Sequence, residues 1–193
     1  MGIEGFRELL KASRSVRRYD NSVKISREEL MELIELSRYC PSANNKQRLR
    51  FRAINDEEGC RNVFSNVIFA GSLGKDGTPS PGEEPSAYIV FLNDNSVGPA
   101  RGEDIGICAE AMLLAANLMG YAGCMLGSIK KDSLMEYLGL SREAYEPVLV
   151  LALGKGIEKA EIEDMEKDGD TAYYRDEDRV HHVPKRRLGD ILI

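Results

Sequence analysis

The sequence predicts a chain of mixed helices and strands that forms a single domain over residues 1–193. Three observations carry this. Ser26-Arg27-Glu28-Glu29 has the S-x-x-E form of a capping box, and Leu30, Leu33, Ile34 and Ser37 follow at helical spacing, giving a helix from about 27 to 39. Glu103 to Met119 is apolar nearly all round, the pattern of a helix buried on most sides. Pro147 to Leu153 is a continuous apolar run closed by Gly154, which reads as a buried strand.

The remaining elements fit between these. Phe6, Leu9 and Leu10 share one face of a helix over 4–12. Pro41 ends the 27–39 helix, and the small and amide residues after it are turn chemistry. Leu49, Phe51 and Ala53 alternate with Arg50 and Arg52, as in a strand with one wet face. Asp56 is placed to cap a short helix carrying Val63, Phe64 and Val67. Residues 71–86 hold four Gly and three Pro and read as a long loop. Ala87 to Leu92 reads as a buried strand, and 94–102 as a second loop. Gly120 ends the long apolar helix. Gly123 to Gly127 follows as a short strand or turn, and Asp132 is a candidate cap for a helix with Leu134, Met135 and Leu138. Residues 155–180, acidic and weakly patterned, read as a surface excursion.

Composition excludes several classes. A net charge of −6 argues against general nucleic-acid binding, which needs a basic footprint. No apolar run approaches a membrane span, and no basic segment followed by an apolar one opens the chain, so a cytoplasmic protein is expected. Cys40, Cys60, Cys108 and Cys124 are widely spaced with no C-x-x-C pair, and His181 and His182 are the sole imidazoles; free thiols fit better than a zinc site.

Against that acidic background, Arg14-Ser15-Val16-Arg17-Arg18-Tyr19 packs three guanidinium groups and a hydroxyl into six residues. Solvated arginines after a helix would explain it; so would a phosphate site, because an Arg fork matches phosphate oxygens. A second basic cluster, Lys185-Arg186-Arg187, lies near the other end. If the ends meet, Arg14, Arg17, Lys185 and Arg187 converge on one phosphate; spacing alone leaves that open. No G-x-x-x-x-G-K-[ST] loop, strand-bound G-x-G-x-x-G turn or G-x-S-x-G elbow occurs. Cys40 with either His lacks a supporting motif for nucleophilic catalysis.

Five stretches, in order, resemble the nitroreductase family of FMN-dependent oxidoreductases. They are Ser13-Arg14-Ser15-Val16-Arg17-Arg18-Tyr19; Cys40-Pro41-Ser42-Ala43-Asn44-Asn45-Lys46-Gln47; Asp104 to Ala116 leading to Gly120; Gly123-Cys124-Met125-Leu126-Gly127; and Pro184-Lys185-Arg186-Arg187-Leu188. The resemblance implies that Arg14, Ser15 and Arg17 hold the FMN phosphate and ribityl chain, joined by Lys185 and Arg187. It implies that Pro41, Ser42, Ala43 and Asn45, with Gln47 in support, border the isoalloxazine ring of the other subunit. It further implies that Leu126 and Gly127 face flavin N5, where a backbone N–H can donate. Ser13 stands where the family often has a basic residue, Arg48-Leu49 where Pro-Trp is frequent, and Leu126 where some members have an acidic residue.

By the same resemblance the fold is an α+β sandwich with a mostly antiparallel central sheet flanked by helices, its C-terminal strand exchanged in a homodimer with FMN at the subunit interface. The implied activity is hydride transfer from NAD(P)H through flavin N5 to a nitroaromatic, quinone or similar acceptor by a ping-pong scheme, with no catalytic side chain and no metal. Two alternatives stay open: a flavoprotein of a related branch, with oxygen-, dehalogenation- or flavin-directed chemistry, and a non-catalytic FMN-binding dimer in which the 71–102 region closes the pocket.

Overall fold

A computed structural model describes residues 1–70, 74, 76–166 and 168–193. Of the loop expected at 71–86, Gly71, Ser72, Leu73 and Lys75 lie outside the described residues, and the closing role expected of 71–102 falls partly on them.

The centre is a five-stranded sheet of β1 (Tyr19–Asp20), β2 (Leu49–Ile54), β3 (Ala87–Asp94), β4 (Ala122–Leu126) and β5 (Tyr145–Gly156). All its pairings are antiparallel: β2 with β3, β3 with β5, and β4 and β1 with β5. β3 is buried along nearly its whole length and separates two cores by the two-residue period of a strand. On one face Tyr88, Val90 and Leu92 pack with Val63 of α3 (Glu57–Ser65) and with Leu134, Met135 and Leu138 of α5 (Lys131–Leu138). On the other, Ala87, Ile89 and Phe91 meet Leu30 and Leu33 of α2 (Arg27–Ser37). They also meet Cys108, Ala109, Met112 and Ala116 of α4 (Gly102–Leu118). Phe51 and Phe91, paired across β2 and β3, meet edge to face at 4.9 Å. The α+β sandwich with an antiparallel sheet is therefore the observed fold.

Local chemistry explains the element ends. The Ser26–Glu29 capping box forms in both directions, at 3.1 and 2.8 Å. α2 ends at Ser37, two residues before the expected limit, and Pro41 follows the closing turn. Asp56 caps α3 through the Gly59 N–H at 2.8 Å. Asp132, in contrast, lies in the first turn of α5 rather than capping it; Lys130 occupies the cap position without a side-chain capping bond, its Nζ donating instead to the Ser65 carbonyl at 2.9 Å. Gly120 follows α4 with φ of +84°, a conformation that favours glycine.

Two differences from the sequence reading concern surfaces. α4 buries one face only: Ile107 is 40% and Leu118 66% exposed, so its apolar outer side is uncovered in a single chain. Residues 155–180 also do more than run over the surface. Within them β6 (Ala160–Asp164) and β7 (Tyr174–Arg175) flank β8 (His181–Lys185), parallel and antiparallel respectively. Met165 and His181 are buried there. The C-terminal strand thus pairs within its own chain, and α6 (Leu188–Ile191) with the apolar tail beyond it is exposed. No helix among the described residues is long and apolar enough to cross a membrane.

Candidate functional site

The N-terminal basic stretch lies against the end of the sheet, between α1 (Ile3–Ala12) and β1. Ser15 bridges to Gly123 in parallel fashion, and the Val16 N–H donates to the Gly123 carbonyl at 3.0 Å. Gly123 is required by its other neighbours: a Cβ there would come within 2.7 Å of the Ala152 carbonyl oxygen on β5 and 2.6 Å of Leu113 Cδ2 on α4. The stretch carrying Arg14, Ser15 and Arg17 therefore lies beside the strand that ends at Leu126 and Gly127.

The three arginines have different surroundings. Arg14 donates from Nη2 to the Leu10 carbonyl at 2.6 Å, and its Nε is buried without a hydrogen-bond partner among the described residues. Arg17 is buried; its backbone N–H donates to Glu158 at 2.8 Å, its guanidinium stands 5.3 Å over the Tyr173 ring, and its Nε also lacks a hydrogen-bond partner among the described residues. Arg18 is engaged elsewhere, paired with Glu83 and bonded to Ser80 Oγ at 3.1 Å. The two unpaired Nε–H groups of Arg14 and Arg17, with the exposed Ser15 between them, suit an anion with several acceptor oxygens.

The second stretch forms a strained loop. A 3₁₀ turn over Ala43–Asn45 places Asn44, Asn45 and Gln47 at φ of 54°, 51° and 47°. Side chains other than glycine seldom adopt this region, so neighbours must hold it. Asp104, 3% exposed at the start of α4, does much of that. Its carboxylate accepts from Ser42 Oγ at 3.1 Å, the Ala43 N–H at 2.7 Å and Arg48 Nη1 at 3.4 Å. Ser42 Oγ in turn accepts the Gln47 N–H at 2.9 Å, and the Gln47 amide reaches Asn45 Oδ1 at 3.2 Å. Pro41, Ser42, Asn45 and Gln47, together with Cys40, Arg48 and Cys108, line a cavity of about 170 Å³. Ala43 sits just behind it, tied to Asp104 through its backbone.

Leu126 is buried in the core opposite Val150, so that residue's backbone rather than its side chain is what β4 offers at this end. Gly127 is exposed, with open space where a Cβ would stand. The C-terminal cluster is separate. Lys185 is exposed at the end of β8, and Arg187 pairs with Glu166 at 3.1 Å. His181, at the start of β8, feels the charge of Arg17, whereas Lys185 lies four residues on, roughly 13 Å along an extended strand. The structure brings Arg14, Ser15 and Arg17 together with Gly123 and gathers the 41–48 loop around Asp104. It does not bring Lys185 or Arg187 into hydrogen-bond contact with the arginines.

Sequence reasoning missed two anchors. Asp104 is visible as the first residue of the helix motif, but its bonds to a loop 61 and 62 residues earlier leave no local signal. Glu158 lies in the stretch read as surface, yet its side chain is 1% exposed. It accepts from Arg175 Nε at 2.9 Å as well as from the Arg17 backbone.

An α+β sandwich, with a basic turn and a held loop beside its central sheet, is the class these features define. Comparison with known proteins agrees: the model of the nitroreductase family matches residues 10–68 and 88–155. The chain belongs to the nitroreductase family. It is 28% identical over 187 residues to "Putative NAD(P)H nitroreductase YdgI" of Bacillus subtilis (strain 168), covering 80% of this chain and 90% of that protein. It is 24% identical over 185 residues to the "CLA biosynthesis enone reductase" of Lactiplantibacillus plantarum, covering 75% and 82%. Among solved structures it is similar to a "putative nitroreductase in complex with FMN" from Exiguobacterium sibiricum 255-15. That match has a TM-score of 0.63 and 25% identity, and covers 79% of this chain and 89% of the other.

Proposed function

We propose that the protein is an FMN-dependent NAD(P)H oxidoreductase, a single nitroreductase-like domain that works as a homodimer. The observation that carries this is the pair of buried, unpartnered Nε–H groups on Arg14 and Arg17 flanking Ser15, in a chain of this family. Arg14, Ser15 and Arg17 would hold the FMN phosphate and ribityl chain. Lys185 and Arg187 would join them once the C-terminal segment, which carries the exposed Ile191, Leu192 and Ile193, rearranges against a partner. Pro41, Ser42, Ala43, Asn45 and Gln47 would border the ring bound to the other subunit, and Leu126 and Gly127 would present backbone to N5.

FMN, when bound, would supply the two-electron hydride chemistry between NAD(P)H and an acceptor that a ping-pong scheme needs. This chain's own residues bind, orient and shield. Arg14 and Arg17 would hold the FMN anion by charge, and the loop held by Asp104 would wall the ring and orient an acceptor beside it. The name of one relative supports an enone beside nitroaromatics and quinones in the acceptor panel. The four free thiols support a reducing, cytoplasmic setting.

The visible spectrum tests the proposal. Purified protein incubated with FMN and freed of excess is expected to be yellow, to bleach anaerobically with NADH or NADPH, and to regain colour with an acceptor. Protein that stays colourless after FMN overturns it; bound FMN that never bleaches shifts the reading to the other flavoprotein branches.

A further inference from the structure

Cys40 and Cys108 are the two cysteines that line one cavity, the one bordered by the 41–48 loop. They come from different elements: Cys40 closes the turn after α2, and Cys108 sits on α4. Two independent relationships set them face to face. Ser42 and Ala43 bond to Asp104, and Cys40 lies two residues before Ser42 while Cys108 lies one helical turn after Asp104. Both thiols line this cavity and pack in the cluster formed by α2, α4 and the sheet, near enough for Cys40 to influence the ionisation of Cys108. Cys60 and Cys124 belong to the opposite core and pair with neither.

The environment makes the two sulfurs unequal. Cys108 is buried, and burial followed by the neighbouring Cys40 raises its thiol above the usual cysteine range, so it rests as a thiol and gives up its proton only as it attacks an oxidised Cys40. Cys40 is partly exposed at the cavity wall and is the sulfur an oxidant reaches first.

We propose that Cys40 and Cys108 form an oxidisable dithiol, a modification site that takes a peroxide as its two-electron oxidant and closes to an intrachain disulfide. In the first step the Cys40 sulfur bonds to one oxygen of hydrogen peroxide as the O–O bond breaks. Water leaves, and Cys40 becomes a sulfenic acid. In the second step the Cys108 sulfur attacks the Cys40 sulfur, the S–O bond breaks, and a second water leaves with the Cys108 proton. Two thiols lose two electrons and two protons in total, and one peroxide becomes two waters. The bond would tie the 41–48 loop to α4 one turn beyond Asp104, a covalent reinforcement of a loop already held in strained backbone. The chemistry of the pair does not depend on the FMN reading; a yellow or colourless protein would carry it equally.

The full-length protein is treated with hydrogen peroxide, alkylated and mapped by mass spectrometry, with and without dithiothreitol. The expected result is a Cys40–Cys108 linked peptide lighter by two hydrogens than its reduced parts and restored by dithiothreitol. Cys60 and Cys124 should still be alkylated. Amide exchange across 41–48 should slow in the oxidised form. In Cys108→Ser, Cys40 should instead accumulate as a sulfenic acid trapped by dimedone. Both thiols remaining alkylatable under peroxide overturns the site. So does Cys40 going directly to sulfinic acid in the unsubstituted protein, or bridging only between chains.

Discussion

The carboxylate of Asp104 holds the backbone of Ala43: Oδ1 accepts its N–H at 2.7 Å, while Oδ2 faces Ser42 Oγ and the buried Arg48 guanidinium. This one side chain therefore joins the start of α4 to the loop that carries five of the proposed flavin-facing residues. Asp104→Ala removes every acceptor and leaves Arg48 as a buried unpaired cation, which costs about 3–5 kcal/mol. Asp104→Asn keeps an acceptor for Ala43 but loses the charge. We expect it to fold with a lowered melting temperature and to bind FMN about tenfold more weakly, the loss of about one charge-assisted hydrogen bond. Fluorescence titration of FMN against the folded variant checks this, and unchanged affinity would confine Asp104 to a structural role.

Arg14 makes a narrower prediction. Its Nη2 is bonded to Leu10, which aims the guanidinium and leaves Nε–H unpaired. Arg14→Ala should weaken FMN by about 10- to 100-fold, the scale of one or two charge-assisted bonds, with little change in thermal stability of the apoprotein. Arg14→Lys should restore only part of the affinity, since an ammonium cannot offer two donors in a fixed plane. Equal binding by all three proteins would return Arg14 to a solvated surface group.

The two central layers are legible in the amino-acid pattern because burial imposes periodicity. Leu30 and Leu33 repeat at helical spacing, and Ala87 to Leu92 can be buried on both faces only as an inner strand. The 41–47 loop is legible as a site through its resemblance, but the positive φ angles of Asn44, Asn45 and Gln47 are not, because Asp104, far along the chain, sustains them. Glu158 is illegible for a related reason. An acidic residue among acidic residues looks solvated until Arg17 and Arg175 are folded against it. The all-round apolarity of α4 is plain in the sequence, but which face stays uncovered depends on packing that periodicity alone does not assign.

Glu158 tests that lesson energetically. Its side chain is almost fully buried and is paired with Arg175, whose own side chain is 11% exposed. Glu158→Ala strands Arg175 and removes the acceptor for the Arg17 N–H, so a destabilisation of about 3–5 kcal/mol is expected by denaturant unfolding. Glu158→Gln keeps the shape and the backbone bond and should cost less. A surface carboxylate would give under about 0.5 kcal/mol for either change.

The adjacent histidines should give opposite pH slopes. Burial lowers the His181 pKa, with Glu158 opposing and Arg17 adding to the shift. The unfolded chain then binds more protons than the folded one below about pH 6.5, so this contribution to stability is complete above that pH and is lost as pH falls. His182 is raised, first by its bond to Asp176 at 3.0 Å and then by Glu163. Its contribution is complete below about pH 6.5 and is lost as pH rises through the higher folded value. Melting temperatures from about pH 5 to 8, the span in which histidine titrates, should show His181→Gln flattening the acid-side loss and His182→Gln flattening the decline toward neutral pH. Identical profiles for both variants would contradict the assignment.

The outer face of α4 gives a test of the proposed homodimer. Ile107, Ala111, Leu114 and Leu118 follow at spacings of four, three and four, one stripe of a helix whose opposite side carries Cys108, Met112 and Ala116 into the core. Leu118 is 66% exposed, and a helix apolar on both sides calls for a partner on the second. Light scattering should therefore give twice the mass of one chain at micromolar concentration. Leu118→Glu, or Ile107→Glu where the first is tolerated, should shift the mass toward a single chain. Because the 41–47 loop is proposed to serve the neighbouring subunit's flavin, the same change should release FMN in parallel with the fall in mass. A Leu118→Glu protein that stays dimeric would move the interface off α4. A monomer that keeps FMN at full affinity would instead show that one chain builds the whole cofactor site.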